Sequence, residues 1–396
     1  MPPRRAKPGA LLDVDEICGR DKLIEEMWET LEQQSVRLEA EKRTGKSSIL
    51  QLMAANPKPG WLVVSLGLLD VHSPDELADA VYAKLYPHFG RWGRAKFKAR
   101  EFLTSLGGTE VGGVLKVPDG ATRPKGYWKT LLKHTIQDLV ECKGEEKVVL
   151  LFDEVSLMLQ NLILRSDENT AMEVLDVLSH LRKDPQTGRG FRMVLTGSIG
   201  LPHVIARLKT AGFADQGVSA MESIPVPALD AADAVQLATD LIDGEALVAA
   251  DKAKSAAALA DVSDRIPFYT HRVAKWLAGR PGKNADPAVV DRAVGELLAD
   301  EQDLLELRHF RSRIDNYYPD DKAAVVAILD MVARADTPLG LDEIAAAINT
   351  AVGPESGKLK DLLRLLVLDH YLARDGDSRY RFRYSLLKRW WRSDPL

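Results

Sequence analysis

The chain has 396 residues, with 53 basic and 58 acidic side chains and a formal net charge of −5. Hydrophobic residues make up 45% of the chain and charged residues 28%, a composition that excludes a collagen, a wholly disordered chain and a polytopic membrane protein. The near-neutral charge argues against a protein that coats nucleic acid through its overall charge, but it leaves room for a local basic patch. At about 150 residues per domain, the length predicts two or three domains.

Cysteine, histidine and hydropathy patterns exclude several further classes of protein. Cys18 and Cys142 are the only cysteines and lack CxxC spacing, which argues against a disulfide framework and a thiolate zinc site. The eight histidines include no HExxH pair. No apolar run reaches the roughly 18 residues of a membrane span, and no apolar segment follows the basic start as in a signal peptide. We therefore expect a cytoplasmic protein.

The first half of the chain alternates strands with helices. Apolar residues at three-and-four spacing predict an amphipathic helix over 21–34. Five strands are predicted after it, at Ser35–Ala40, Trp61–Leu66, Lys147–Phe152, Phe191–Thr196 and Ser223–Val226. This alternation indicates βαβ units and a parallel sheet with helices on both faces. Between the second and third strands, the glycine-rich stretch 90–127 predicts loops or a small hairpin.

The second half of the chain is mainly helical. From Leu229 to Asp300 the pattern is purely helical, with breaks at 243–244 and 280–282, which predicts a separate helical lobe. After a connector, helices are predicted over Asp321–Arg334, Leu341–Thr350 and Ser356–Leu368, followed by a hairpin with its turn at Asp375 and Gly376 and by a final helix. Three helices followed by a hairpin are typical of a winged helix-turn-helix.

A phosphate-binding motif follows the first predicted strand. Residues 40–47 read Ala-Glu-Lys-Arg-Thr-Gly-Lys-Ser and connect a strand to a helix, the context that a Walker A loop requires. Backbone N–H groups and the dipole of that helix would stabilise phosphate oxygens, while Lys46 would reach the β- and γ-phosphates and Ser47 would ligate Mg²⁺. Two features weaken the match: Ala40 replaces the first glycine of the motif, and two charged residues interrupt the strand.

A second motif lies about a hundred residues later. The apolar run 148–152 ends in Asp153 and Glu154, whose carboxylates would emerge where open α/β sheets bind ligands. Asp153 would hold Mg²⁺ through water, and Glu154 would orient and polarise the attacking water. A buried strand that reaches solvent in acidic residues gives the same pattern, but the upstream loop favours a Walker B strand. Together the two motifs predict a site for ATP and Mg²⁺.

A third strand, 191–196, ends in hydroxyl residues. If it lies beside the Walker strands, Thr196 or Ser198 would hydrogen-bond the γ-phosphate or the attacking water as a sensor. Ser198 could equally cap the helix that begins at Ile199, and the two roles are compatible.

These motifs resemble one family in their identity and order. They are Cys18-Gly19-Arg20-Asp21, the loop 43–48, the strand end 151–154, the segment 195–200 and the segment 266–269. Over nearly the whole chain, this order resembles the archaeal-type P-loop ATPases, a group similar to the origin-recognition-complex ATPases of the AAA+ class and to the STAND signalling ATPases.

The resemblance implies an α/β fold with a P-loop NTPase parallel sheet, a helical lid and a C-terminal winged helix. It implies that the sensor strand lies between the two Walker strands. It implies a nucleotide site formed by Gly19, Arg20, Arg43, Thr44, Gly45, Lys46, Ser47, Ser48 and Pro267, with Lys46, Asp153, Glu154 and Ser198 as the catalytic residues. Arg265 and Arg272 are candidates for a phosphate sensor in the lid.

The chain also departs from the family. Glu41-Lys42-Arg43 stands where the family usually has Pro-Arg-Arg or a glycine, and Arg265-Ile266 stands where glycine often precedes the lid proline. These departures put catalytic rate and lid geometry in question more than nucleotide binding, and slow turnover would suit a switch. Family members often act as oligomers that complete each other's sites, but the sequence shows no interface.

The predicted domain boundaries combine these patterns. They are a flexible N-terminus over 1–14, an ATPase core over 15–228, a helical lid over 229–305, a connector over 306–320 and a winged helix over 321–396.

Two hypotheses remain for what the ATP site drives. In the first, nucleotide state controls how the winged helix engages duplex DNA. Residues 377–396 hold six basic and two acidic side chains, a charge of +4. The DNA-binding candidates are Lys358, Lys360, Arg364, Arg381 and Arg383. Leucines and Asp361 in the same helix argue against it.

In the second hypothesis, ATP exchange releases the lid and winged helix to bind a protein partner or to self-assemble, as in a signalling or defence switch. A solvated wing with Trp390 and Trp391 packed inward explains the basic residues equally well.

Overall fold

The computed structural model describes residues 4–89, 97–118, 122–197, 204–205, 208, 212, 221–348 and 356–393. The chain divides into two units. The first, here the sheet unit, comprises Asp21–Ala40 and Lys46–Val226. The second, here the helical unit, comprises Met1–Arg20, Glu41–Gly45 and Pro227–Leu396.

A five-stranded parallel sheet organises the sheet unit. Its strands are β1 (Val36–Glu39), β2 (Trp61–Gly67), β5 (Lys147–Asp153), β6 (Phe191–Gly197) and β7 (Glu222–Pro225). They lie in the order β2-β5-β6-β1-β7, and every neighbouring pair is parallel. The predicted parallel sheet is therefore confirmed. So is the position of the sensor strand β6 between β5 and β1, the two Walker strands.

Helices and a hairpin are also present among the described residues of the sheet unit. The helices are α1 (Asp21–Gln33), α2 (Lys46–Ala55), α3 (Pro74–Leu85), α4 (Lys98–Ser105), α5 (Tyr127–Lys143), α6 (Val155–Arg165) and α7 (Glu168–Lys183). Strands β3 (Thr109–Val111) and β4 (Val114–Lys116) form an antiparallel hairpin. The hairpin was expected in the stretch 90–127, whereas α4 was not, because eight residues with few core-facing positions give a weak helical pattern.

Alternation along the strands fills both faces of the sheet. On β5, Val148, Leu150 and Phe152 belong to one hydrophobic cluster, while Val149 and Leu151 belong to another on the opposite face. All five of these side chains are no more than 3% exposed, as expected for a parallel sheet that is covered on both faces.

The charged residues of β1 have a simple explanation. Val36 and Leu38 are fully buried, whereas Arg37 and Glu39 point to the other side and form an ion pair of 3.2 Å with each other. The strand pairs with β6 and β7, so its backbone is satisfied on both edges. A central strand here tolerates two charges because they neutralise each other on one face.

The helical unit has one continuous hydrophobic core that includes residues from Ala6 to Trp391. Its helices are α8 (Ala231–Gly244), α9 (Lys252–Val262), α10 (Pro267–Ala278), α11 (Pro287–Leu298), α12 (His309–Tyr317), α13 (Lys322–Arg334), α14 (Leu341–Ile348), α15 (Ser356–Leu368) and α16 (Ser385–Ser393). Strands β8 (Leu372–Arg374) and β9 (Tyr380–Phe382) form an antiparallel hairpin between α15 and α16. The predicted C-terminal sequence of helices and hairpin is therefore present, with α14 described as far as Ile348.

Segments that are distant in sequence are joined inside this unit. Both carboxylate oxygens of Asp264 accept backbone N–H groups of α16, from Ser385 and Leu386, at 2.8 Å. Arg389 pairs with Asp291 of α11 at 2.8 Å. The predicted lid and the predicted winged helix are thus held to each other by a helix cap and an ion pair as well as by the shared core.

The start of the described chain is attached to the helical lobe. Arg4 pairs with Asp240 at 2.9 Å, Ala6 N–H donates to Glu245 at 2.8 Å, and Lys7 N–H donates to Nδ1 of His271 at 3.1 Å. Ala6 is 5% exposed. These contacts attach residues 4–7 to the helical lobe, within the range 1–14 that the sequence analysis predicted as a flexible N-terminus. Among the described residues, no helix is long and apolar enough to cross a membrane.

Arg192 on β6 gives the first prediction. Its buried guanidinium donates to the carbonyls of Leu31 and Glu32 at the end of α1, and to those of Gly188 and Phe191. Arg192→Met leaves these acceptors without their donor, so we expect the free energy of unfolding in urea to fall by about 2–4 kcal/mol. Arg189→Met is the matched control, because Arg189 is exposed. Equal losses in both variants would contradict the assignment.

His271 gives a pH prediction. Burial first, and then the charges of Arg4 and Lys7, lower the pKa of His271 to about 4, so its Nδ1 accepts the Lys7 N–H in the neutral form. The unfolded chain takes up the proton near pH 6.5, so this stabilisation is complete above 6.5 and is lost as the pH falls towards 4. We expect a loss of up to about 3 kcal/mol, measured by urea unfolding between pH 7.5 and 4. His271→Gln should flatten that profile, while exposed His180→Gln should leave it unchanged.

Candidate functional site

Two Walker side chains meet at the carboxyl end of the sheet. Ser47, in the first turn of α2, donates its hydroxyl to Oδ2 of Asp153 at 2.7 Å. Asp153 is the last residue of β5, and α2 begins directly after the phosphate-binding loop. Two residues separated by 106 positions in sequence therefore present a hydroxyl and a carboxylate oxygen side by side. Oxygen ligands of this kind are those that Mg²⁺ prefers.

Thr196 fixes the Asp153 carboxylate. Its hydroxyl donates to Oδ1 of Asp153, and its oxygen accepts the backbone N–H of Glu154 at 3.2 Å. Thr196 is fully buried on β6, whose position beside β5 makes both bonds possible. Sequence reasoning offered Thr196 as a sensor of phosphate or water. In the structure the hydroxyl holds the Asp153 carboxylate, which leaves Oδ2 of Asp153 directed to Ser47, and the sensor role stays a prediction.

Glu154 and Lys46 complete this cluster in the sheet unit. Glu154 is half-buried and has a left-handed backbone (φ 62°), so it precedes α6 on a sharp turn out of β5. Lys46 is 6% exposed, and its ammonium donates to the carbonyl of Ala40 at 3.0 Å. Ala40 is also buried, and its backbone is not in the left-handed region that would favour the glycine of the motif. Among the described residues, no group of three or more His, Cys, Asp or Glu side chains could hold a metal ion.

The phosphate-binding loop itself, Glu41–Gly45, belongs to the helical unit. Thr44 donates its hydroxyl to the Glu41 carbonyl at 2.8 Å, which closes the loop on itself. Gly45 has φ 96° and Arg43 has φ 71°, so two residues lie in the left-handed region. That region suits glycine but costs an arginine on the order of 1 kcal/mol, which surrounding contacts must offset.

Arg20 hydrogen-bonds to the backbone of the loop. It is 4% exposed and donates to the Thr44 carbonyl at 2.7 Å and to the Pro227 carbonyl at 2.9 Å. Burial lowers the pKa of Arg20. The family resemblance implies that Arg20 lies near the nucleotide, and this stays a prediction. Within the helical unit its guanidinium donates to backbone carbonyls of the loop and of the segment before α8.

Glu41 is the most unusual residue of the loop. It is 1% exposed, and its carboxylate accepts two hydrogen bonds from Arg313 of α12, one of them at 2.8 Å. Its Oε1 also accepts the Lys42 N–H at 2.7 Å and lies 3.3 Å from Nε2 of His309. Burial opposes its charged form, but the charge and hydrogen bonds of Arg313 prevail and hold the pKa of Glu41 far below its usual range.

Arg43 makes a second charged contact with the connector. Its Nε donates to Glu306 at 2.7 Å, and its guanidinium lies 4.6 Å from the ring centre of Phe268 on α10. Arg272, one of the two candidate lid sensors, lies 5.4 Å from the same ring. These contacts fix the left-handed Arg43 between the connector and the helical lobe.

Other predicted site residues lie nearby in the helical unit. Gly19 has φ 66°, and a Cβ there would lie 2.8 Å from the Asp233 side chain, so only glycine fits. Pro267 is the first residue of α10, and Arg265 is exposed with φ 57°. Ser48 lies in the first turn of α2, in the sheet unit. Ser198 lies outside the described residues.

The predicted DNA-binding residues differ in their contacts. Lys358 pairs with Asp321 at 2.5 Å, whereas Lys360 and Arg364 are exposed on α15. Arg381 is exposed on β9, and Arg383 is half-buried with its guanidinium 5.9 Å from the Tyr384 ring centre.

The other four basic residues of the C-terminal segment contact the protein itself. Arg379 donates to the Pro338 carbonyl, Lys388 to Ala335, and Arg392 to Ala333, while Arg389 pairs with Asp291. The +4 charge of this segment is therefore largely engaged in internal contacts.

Sequence reasoning missed the connector residues Glu306, His309 and Arg313. An acidic residue inside a phosphate-binding loop was a signal that a counter-ion exists, since a buried carboxylate needs one. Nothing in the local pattern identifies that counter-ion, because Arg313 is 272 residues away.

Comparison with solved structures establishes the fold. A Walker-type ATPase of Pyrococcus abyssi superposes with a TM-score of 0.63 at 15% identity, over 96% of this chain and 97% of that one. The ORC2 protein of Aeropyrum pernix, solved as ADPNP-ADP complexes, gives 0.48 at 12% identity over 98% and 94%. A STAND protein of Pyrococcus horikoshii with a tetratricopeptide repeat sensor gives 0.35 at 12% identity, over 98% of this chain and 44% of that one.

No known family profile matches the sequence, and no curated protein is similar to it in sequence. At 15% identity, the first comparison shows the fold alone. With the sheet order, it establishes an α/β P-loop NTPase fold.

Proposed function

We propose that the protein binds ATP with Mg²⁺ and hydrolyses it slowly, as an AAA+ or STAND-type ATPase. The observation that carries the proposal is the 2.7 Å hydrogen bond between Ser47 and Asp153, on a P-loop NTPase sheet. That bond brings the Walker A hydroxyl and the Walker B carboxylate together, as a magnesium site between them requires.

Each residue of the cluster has a definite task in this proposal. Lys46 exchanges the Ala40 carbonyl for phosphate oxygens, and the N-terminus of α2 contributes its dipole and N–H groups. Ser47 and Asp153 hold Mg²⁺, which neutralises phosphate charge when bound. Glu154 accepts a proton from the attacking water and orients it. Thr196 keeps Asp153 in the rotamer that the metal site needs, and Ser198 stays a proposed catalytic residue from sequence.

The nucleotide contacts of the loop follow from the same proposal. Thr44, Gly45 and Ser48 offer backbone N–H groups around Lys46. Gly19 and Pro267, with the lid, are proposed to border the nucleotide. Arg20 and Arg43 stabilise the loop that carries these groups. Arg20 donates to the Thr44 carbonyl, and Arg43 binds the loop to Glu306 of the connector.

Two substitutions separate binding from hydrolysis. Lys46→Ala removes the phosphate ligand, so we expect loss of binding in a titration with fluorescent methylanthraniloyl-ADP. Glu154→Gln keeps the shape but removes the base, so nucleotide should still bind while phosphate release falls by about 100-fold or more. Exposed Lys22→Ala and Glu145→Gln are the matched controls. Unchanged phosphate release in both site variants would refute the catalytic assignment.

For the output of this ATPase, we propose that nucleotide state controls a C-terminal winged helix that engages duplex DNA. The three helices, the hairpin and α16 supply the elements of such a domain. Lys360 and Arg364 are one helical turn apart on α15, and Arg381 projects from the hairpin. These three exposed side chains, with Arg383, are better placed for phosphate contacts than Lys358, which is paired with Asp321.

Salt dependence tests this output. Fluorescence anisotropy with a duplex oligonucleotide should show affinity that falls steeply between low and moderate salt. The double variant Arg381→Ala/Arg383→Ala should bind more weakly, with a log–log salt slope reduced by about 2. Lys22→Ala/Arg165→Ala, which removes two exposed charges from the sheet unit, should bind as wild type. Absence of binding with and without ATP would exclude DNA as the target.

A second candidate output is favoured by a different observation. The phosphate-binding loop packs with the helical unit, where Glu41 and Arg43 contact the connector. A nucleotide-dependent switch that releases the lid and winged helix to a protein partner, or to a second copy of the chain, uses those contacts directly. Nucleotide-dependent self-association without DNA binding, measured by light scattering, would support this output over the first.

A further inference from the structure

The phosphate-binding loop carries a buried carboxylate although its task is to bind anions. Glu41 is 1% exposed and lies next to Lys42 and Arg43 in the loop. An unpaired charge there would be strongly unfavourable and would repel phosphate. The loop can therefore hold its conformation only if Glu41 is neutralised from outside the loop.

Arg313 supplies that neutralisation. Both of its terminal nitrogens donate to Glu41, one to each carboxylate oxygen, which is the planar two-point arrangement that fixes orientation as well as charge. Arg313 is itself 7% exposed and lies 4.8 Å from the Phe310 ring centre. Neither partner has access to bulk water, so each depends on the other.

Helix α12, which carries Arg313, is also bound to the C-terminal helices. The Tyr371 hydroxyl donates to the Phe310 carbonyl, and the Tyr318 hydroxyl at the end of α12 donates to Asp369 at the end of α15. Both tyrosines and Asp369 are buried. The helix thus connects the loop on one side, through Arg313, with α15 and β8 on the other.

We propose that Arg313 is a positioning residue for the phosphate-binding loop, and that the Glu41–Arg313 pair couples nucleotide binding to the C-terminal helices. This inference rests on the proposed nucleotide-binding function of the loop. Arg313 does not contact the nucleotide in this proposal. It acts through Glu41, whose backbone carbonyl also accepts the Thr44 hydroxyl, so a displaced Glu41 opens the loop next to Lys46.

The second charged contact supports the same reading. Arg43 of the loop pairs with Glu306, and His309 lies between the two pairs, with Nδ1 against the Glu306 carbonyl and Nε2 3.3 Å from Glu41. Two loop residues of opposite charge therefore meet two connector residues of the complementary charge. This pattern fixes the register of the loop on the connector, since a shift would bring like charges together.

A double-mutant cycle tests the proposal. The variants are Arg313→Met, Glu41→Gln and the double variant, with methylanthraniloyl-ADP as the probe. Arg313→Met removes the two-point arginine partner of a buried carboxylate, so we expect the dissociation constant to rise about ten-fold or more. The double variant removes the charge as well, so it should recover most of the affinity. Arg311→Met, on the same helix with its guanidinium 4.6 Å from the Trp391 ring centre, is the matched control and should bind as wild type.

Hydrogen exchange provides the readout of coupling. In wild type and in Arg311→Met, ADP should slow amide exchange in peptides from α12 and α15. In Arg313→Met and in the double variant, ADP should still protect peptides of the phosphate-binding loop and of α2, but it should no longer slow exchange in α12 and α15, because the connection is absent. A general loss of folding would instead raise exchange throughout the helical unit without nucleotide. The double variant, which carries neither charge of the pair, keeps the test decisive if Arg313→Met does not fold.

The outcomes separate this inference from the proposed function. If wild type binds no nucleotide and Lys46→Ala behaves identically, the proposed function fails. If wild type binds nucleotide but the effects of Glu41→Gln and Arg313→Met simply add, or if ADP still protects α12 in the double variant, the proposed function stands and the coupling is refuted.

Discussion

A carboxylate buried in a loop that we propose to bind phosphate is the constraint on which this structure depends. Glu41 and Arg313 are both buried and hydrogen-bonded to each other, so each charge depends on the other for much of its stabilisation. This pairing connects the loop to α12, which lies about 270 residues later in the sequence. It also explains why the five loop residues group with the helical unit, although the strand before them and the helix after them belong to the sheet unit. The conformation of the loop therefore depends on its two charge pairs as well as on the glycine of its motif.

The parallel sheet determines which of the candidate site residues lie close together. Parallel strands end at one edge, so Asp153 at the end of β5 lies beside Thr196 on β6. Helix α2 begins at the same edge of the sheet. The Ser47 hydroxyl can therefore donate to the Asp153 carboxylate, which Thr196 holds in place. The Ser47 hydroxyl and the Asp153 carboxylate therefore need no long loops to meet. The buried Thr196 holds the carboxylate in place, which is the preorganisation that the proposed phosphoryl transfer would use.

Local patterns were sufficient to predict most of the fold. The five strands, the first helix and the Asp375–Gly376 hairpin lie within a few residues of their predicted bounds, and so do the C-terminal helices as far as they are described. That Ser47 and Asp153 would lie together was predictable from their spacing and strand context. Helix α4 was missed because its pattern is short, and Arg37 and Glu39 were judged unfavourable because their mutual pairing is invisible in an apolarity count. Arg313, His309 and Glu306 were missed because their partners lie more than 260 residues away, where only the tertiary structure brings them together.

The Glu41–Arg313 pair also has an evolutionary consequence. The two residues lie 272 positions apart, and each is expected to destabilise the protein when the other is replaced. They are therefore not expected to change independently in evolution. A lineage that replaces one must pass through a poorly folded or poorly binding intermediate, unless both change nearly together. We therefore expect descendants of this sequence to keep the acid and the arginine as a unit or to lose both, with glycine or proline returning to the loop. Joint presence of the two residues would then mark chains whose phosphate-binding loop is held by the connector.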